Sequence, residues 1–122
     1  MKIEQEFRRP TPVETRFMRR LLSADFLGKQ EIARQLDNLR VRTIDDEGSL
    51  ELKPSDATPP ATVKKLPIPV EAEGVDEDGI HVHLLLHVEK GFVKELEIYK
   101  DDGTPIKRMP SPEDFELIVL PA

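Results

Sequence analysis

The chain of 122 residues has no cysteine, no tryptophan and a single tyrosine. Without thiols there can be no disulfide, no thiolate-held metal and no cysteine nucleophile, and their absence fits a reducing cytoplasm. One tyrosine and no tryptophan leave no stacking platform for single-stranded nucleic acid. No stretch approaches the roughly 18 consecutive apolar residues that a membrane span requires. The start, "MKIEQEFRRP", mixes acids with bases and lacks the apolar core of a signal peptide. The six glycines are isolated, in neither the spacing of a phosphate loop nor that of a dinucleotide fold. No serine occupies a G-x-S-x-G elbow, and the acid-bearing turns "DDEGSLE" and "DDG" lack the spacing of a calcium loop.

What is present is charge, 34% of the residues against 38% apolar, with a net of −6 that is unevenly distributed. Residues 1–42 carry ten Lys and Arg against six Asp and Glu, a net of +4, so the remaining eighty residues carry −10. A basic helical end could meet phosphate, but +4 over two helices is thin and the acidic remainder repels it, so nucleic acid is not expected as a partner. The simpler reading is a solvated set of helix faces whose charge complements the acidic half.

The pattern predicts one α+β domain over 1–122, with a helical hairpin at about 11–38, a Pro-rich loop at about 54–62 and a sheet over about 40–120. In "TPVE", Thr11 can cap a helix, Pro12 suits its first position and Glu14 completes a capping box. Val13, Phe17, Met18, Leu21 and Leu22 then form one apolar stripe at helical spacing. A second helix is expected from Gly28, with Ile32, Ala33 and Leu36 inward. From Arg40 the period changes to two, and "RVRTID" followed by "DEGSLELK" reads as a β-hairpin. In "VKKLPIPVEAE", Pro67 and Pro69 cannot donate to a ladder, so its first part should be an edge or lie outside the sheet. The segment "FELIVL" reads as a short buried strand, reached through the loop "GTPIKRMPSPED".

All three histidines lie in "GIHVHLLLHVEKGF", residues 79–92, at odd positions that a strand places on one face. The flanking "EDG" and "EKG" each place glycine third, as three-residue hairpin loops require. Counting from them pairs Asp76 with Ile80 and Val88 with Phe92. One face then holds Val70, Ala72, Val82, Leu84, Leu86, Leu96 and Ile98, and is assigned to the core under the two helices. The other face holds three rows: Val75–His81–Tyr99, Glu73–His83–Glu97 and Glu71–Leu85–Glu95, with His87 beside Val93. Two chemistries can be drawn there. His81 and His83 with Glu97 or Glu73 could hold a metal, whereas His87, about 13 Å beyond His83 at the strand rise, could not join them. His83 with Glu73 or Glu97 could act as an acid/base pair in a hydrolase. Any antiparallel sheet with a polar face produces such rows, and no loop supplies a cleft over this one, so a half-solvated face is the simpler account.

"RRPTPVETRFMRRLLSADFLGKQEIARQL", then "IDDEGSLEL" and "HVEKGFVKELEIYKDDGTPI", resembles a family of small bacterial proteins of unknown function, over about Arg9 to Ile106. The block "L-H-V-x-x-G-x-x-x-E-L-E-I-Y", Leu86 to Tyr99, is its most distinctive part. The resemblance implies a small cytoplasmic α+β domain and brings no activity, cofactor or binding residue with it.

The expectation is therefore two N-terminal helices packed on one face of an antiparallel meander sheet of five or six strands. The expected function is non-catalytic protein binding of a regulatory or immunity type, through Glu73, His81, His83, Leu85, Val93, Glu95, Glu97 and Tyr99. Another protein or a second copy of the chain, as a homodimer, would be the partner, with no membrane, nucleic acid or cofactor involved. The alternative is a metal-dependent or acid/base hydrolase using the same row of histidines and glutamates.

Overall fold

The computed structural model describes residues 6–62 and 68–119. Two helices, α1 (Pro12–Leu21) and α2 (Lys29–Gln35), precede six strands: β1 (Arg40–Thr43), β2 (Leu50–Lys53), β3 (Val70–Val75), β4 (His81–Glu89), β5 (Phe92–Lys100) and β6 (Glu116–Val119). Helix α1 starts where the sequence says it should. The Thr11 hydroxyl accepts from the Glu14 amide, the Glu14 carboxylate accepts from the Thr11 amide, and Pro12 follows the cap. Glu14 also meets Arg8 at 2.8 Å. Its own burial raises the Glu14 pKa, yet Arg8 and the Thr11 amide outweigh that and hold the carboxyl below its usual range. Phe17, Met18 and Leu21 are buried, as their spacing implies, while Val13 is 46% exposed.

The sheet is antiparallel throughout, in the order β1-β2-β5-β4-β3-β6. Only β3-β4-β5 is a run of adjacent hairpins. The β1–β2 hairpin docks on the free edge of β5, and β6 crosses back to close the free edge of β3. As an edge strand, β6 is not the buried one expected: Phe115 just before it is buried, while Glu116 and Val119 are exposed. Both helices pack on the face formed by Val41, Leu50, Leu84, Leu86 and Leu96, each at most 1% exposed. The expectation for Pro67 lies outside the described residues, and β3 begins just after Pro69.

The "EDG" turn behaves as counted, with the Asp76 amide donating to the Ile80 carbonyl and Gly79 at φ +84°. The "EKG" turn does not. Its loop is two residues, Lys90 and Gly91, both left-handed at φ +52° and +83°, so Glu89 pairs with Phe92 and Val88 with Val93. Lys94 is then an extra residue, a β-bulge, after which His87 pairs with Glu95. The shorter loop shifts the register by one and the bulge by one more. Side chains from Glu95 onward therefore keep their expected face but change their partners. Val93, between turn and bulge, changes face: it is fully buried in the core and is not part of the outer surface.

The bulge leaves the Val93 amide without a strand acceptor, and α2 supplies one. Gln35 is fully buried; its Oε1 accepts from the Val93 amide at 2.9 Å and its Nε2 donates to the Gly91 carbonyl at 2.7 Å. At the far end of β5, Lys100 is on the core face and buried. Its ammonium lies 3.0 Å from Asp76 and 2.5 Å from Asp78. Asp76 also accepts from the amides of Lys107 and Arg108, which fastens the 101–110 loop to the β3–β4 turn. Burial raises the Asp76 pKa, but those amides and Lys100 overcome it, leaving the carboxyl far below the usual range.

Candidate functional site

The outer face of the sheet faces away from both helices. Its rows run across four strands because the register of β3, β4, β5 and β6 is continuous there. One row is Glu116–Glu73–His83–Tyr99, the next Ile118–Glu71–Leu85–Glu97, and a third Glu51–Glu95–His87. Thus His83 stands opposite Glu73, as counted, but opposite Tyr99 and not Glu97.

Each histidine has its own carboxylate. His81 contacts Glu73 through Nδ1. The His83 ring lies flat on Tyr99, centroids 4.6 Å apart at 12°, with Nδ1 3.1 Å from Glu71 and Nε2 2.6 Å from Asp101. His87 Nε2 is 2.8 Å from Glu97. The ring of His83 is held by stacking and by two carboxylates, and its residue is only 8% exposed. Both of its nitrogens are engaged, so neither is open toward a substrate.

The expected metal set of His81, His83 and Glu97 is not assembled, since Glu97 is bound to His87 while the other two histidines face Glu71, Glu73 and Asp101. The set that converges among the described residues is His87, Glu95 and Glu97, with one donor atom from each within 4.8 Å of the others. Beside it lies a cavity of about 410 Å³ lined by Ile44, Glu51, His87, Val88, Lys94 and Glu95.

The field over this face is negative. Burial and then the carboxylates of Glu71, Asp101, Glu97 and Glu73 push the Tyr99 hydroxyl pKa above its ordinary value. The counter-charge sits at one side, where Arg42 meets Glu51 at 2.8 Å and covers the Phe7 ring at 4.5 Å. Leu85 is half-buried, and Tyr99 and Val75 are 37% and 54% exposed, so apolar surface lies among the acids. The arginines of α1 point elsewhere: Arg16 meets Glu113 at 2.5 Å and Arg20 donates to the Phe115 carbonyl at 2.7 Å.

Sequence reasoning had no place for Glu71 or Asp101 beside His83, nor for Gln35 and the Asp76–Lys100 pair. The diagonal reach of Glu71 was open to counting along β3 and β4. Asp101 was not, because it depends on the two-residue shift in β5. Gln35 could have been noticed as a polar residue at a buried helical position, three beyond Ile32.

A family model described as a domain of unknown function, DUF6984, matches residues 7–110. No curated protein and no solved structure matches. Among the described residues no helix is long and apolar enough to cross a membrane.

Proposed function

The chain belongs to the DUF6984 family, a domain of unknown function, and from the geometry of its outer face we propose that it is a non-catalytic binding module that docks a basic protein surface. The observation that carries this reading is a sheet face, left open by the described helices, on which Glu71, Glu73, Glu97, Asp101 and Glu116 surround Leu85 and Tyr99. Directly opposed like charges destabilise a sheet. Glu73 and Glu116 are directly opposed, so the face carries a cost that a partner bearing Lys or Arg would remove. The half-exposed Leu85 and Tyr99 would supply the apolar centre of such an interface, and the acids its polar rim and fast, salt-dependent association. A regulatory or immunity-type role in the cytoplasm of a bacterial cell is the class this chemistry suits. Catalysis is less well supported, because His83 is locked on both nitrogens and stacked flat on Tyr99.

The test is quantitative co-purification at rising salt, with wild type beside the double charge reversal Glu73→Lys with Glu116→Lys. The expected result is a saturable, basic protein partner that the double variant loses while its fold, by circular dichroism, is kept. Equal capture of that partner by both forms would remove this face from the interaction.

A further inference from the structure

We propose that His87, Glu95 and Glu97 form a binding site for a divalent transition-metal ion of the zinc class, with an open coordination position facing the cavity beside Glu51. This inference does not depend on the protein-docking reading.

The bulge assembles the ligands. The two-residue turn alone would set His87 opposite Lys94 and send Glu95 and Glu97 to the core face. With Lys94 as an extra residue, Glu95 takes the place opposite His87 and both glutamates return to the outer face. Glu97 follows two residues later on the same face, within reach of the same imidazole. Bulges of this kind re-aim side chains at functional positions.

The distances are close to those of a metal shell. Ligands at about 2.0–2.2 Å from one zinc ion lie roughly 3–3.5 Å from each other in a tetrahedral arrangement. His87 Nε2 and the Glu97 carboxylate are already 2.8 Å apart, and no donor of the three is more than 4.8 Å from another. A rotation of the Glu95 side chain by an ångström or so, on the order of ordinary rotamer play, closes the shell.

Electrostatics points the same way. Glu95 stands directly opposite Glu51 across the β2–β5 pairing and two residues from Glu97, all three half-buried. Glu51 is paired with Arg42, and Glu97 is in contact with His87. Glu95 has no ion pair among the described residues, although like charges facing each other across a sheet are unfavourable. A dication here would neutralise Glu95 and Glu97 together. One imidazole with two carboxylates is a borderline nitrogen and oxygen donor set, suited to zinc, manganese or ferrous iron and poorly to calcium, which takes oxygen alone. Three protein ligands with a cavity on the fourth side is the arrangement that leaves room for water or an exogenous ligand.

The experiment titrates metal-free, full-length protein with zinc by calorimetry, and with cobalt(II) as a spectroscopic stand-in. Wild type is compared with His87→Ala, with the near-isosteric Glu95→Gln, and with His81→Ala as a control on a separate row. The expected result is one ion per chain, a visible cobalt band, and at least about a tenfold loss of affinity in both site variants, with the control unchanged. Absence of stoichiometric binding to wild type would overturn the proposal. Equal affinity in the folded Glu95→Gln variant, or equal loss in the control, would overturn it as well.

Discussion

The bulge in β5 is held by one side chain, and removing that side chain's polarity tests the account of it. Gln35→Met keeps nearly the same volume but cannot bond to the backbone. Two short hydrogen bonds would be lost, from the Val93 amide to Oε1 at 2.9 Å and from Nε2 to the Gly91 carbonyl at 2.7 Å, together with a long one from Nε2 to the Pro59 carbonyl at 3.4 Å. The two short ones differ in weight. The Gly91 carbonyl keeps the Ala61 amide at 2.8 Å, so only an ordinary net bond of about 1 kcal/mol disappears there. The Val93 amide, in a fully buried residue, would be left with no acceptor, which costs about 1–3 kcal/mol. The sum is about 2–4 kcal/mol in equilibrium urea unfolding, with a fall in Tm of roughly 6–20 °C for a domain of this size. Hydrogen exchange at the Val93 amide should quicken in the same variant. A Gln35→Met protein within about 0.5 kcal/mol of wild type, with Val93 still protected, would refute the view that α2 supports the bulge.

Gly91→Ala should destabilise by more than the roughly 1–3 kcal/mol of a strained backbone alone, because its Cβ would come within 2.5 Å of the Ala61 carbonyl at φ +83°; thermal unfolding measures it. Phe115→Ala, removing a buried ring that packs edge-on against Phe17 with centroids 5.8 Å apart, should cost about 3–5 kcal/mol and expose the Glu116–Val119 amides to exchange first. Asp76→Asn should be less stable than wild type at neutral pH, with a gap that narrows in acid. The sign follows from a folded pKa held below the unfolded value of 3.8: the stabilisation is complete above that value and is lost as pH falls through the folded one. Urea midpoints from pH 7 to pH 2 read this out, and a gap that stays constant to pH 2 would contradict it.

Local signals carried most of the fold. The capping box around Thr11 and Glu14, the Phe17–Leu21 stripe and the odd/even alternation of His81–Val88 each depend on neighbours within a few residues. They came out where the sequence put them. The β2–β5 and β3–β6 pairings join segments far apart in the chain, and no periodicity encodes them. The candidate site was only half legible for a related reason. "EKG" fits a three-residue loop with left-handed glycine, and it also fits a two-residue loop if Lys90 accepts a left-handed conformation that favours Asn or Gly. Tertiary support decided between them: Gly91 and Val93 meet Gln35, which lies 56 and 58 residues earlier on a helix. Two compensating shifts preserved the face of Glu95, Glu97 and Tyr99 while exchanging every cross-strand partner. The outer surface was therefore readable, and its contacts were not.

The strand order also divides the sheet into two leaves of unequal strength. Strands β4 and β5 run side by side for most of their length, whereas β2 meets β5 through the registered pairs Leu50–Leu96 and Glu51–Glu95. Beyond them the Ser49 hydroxyl takes over, accepting from the Ile98 amide at 2.8 Å and donating to its carbonyl at 3.2 Å. This short seam, with two acids facing each other across it, is the line along which the sheet should open first. Native-state exchange would then release the Leu50–Leu52 amides before those of β4, and simultaneous release would show one cooperative unit instead. Any ligand that bridges Glu51 and Glu95 acts as a clasp between the leaves, so occupancy of the outer face would be felt in the motion of β1 and β2, at the edge of the sheet.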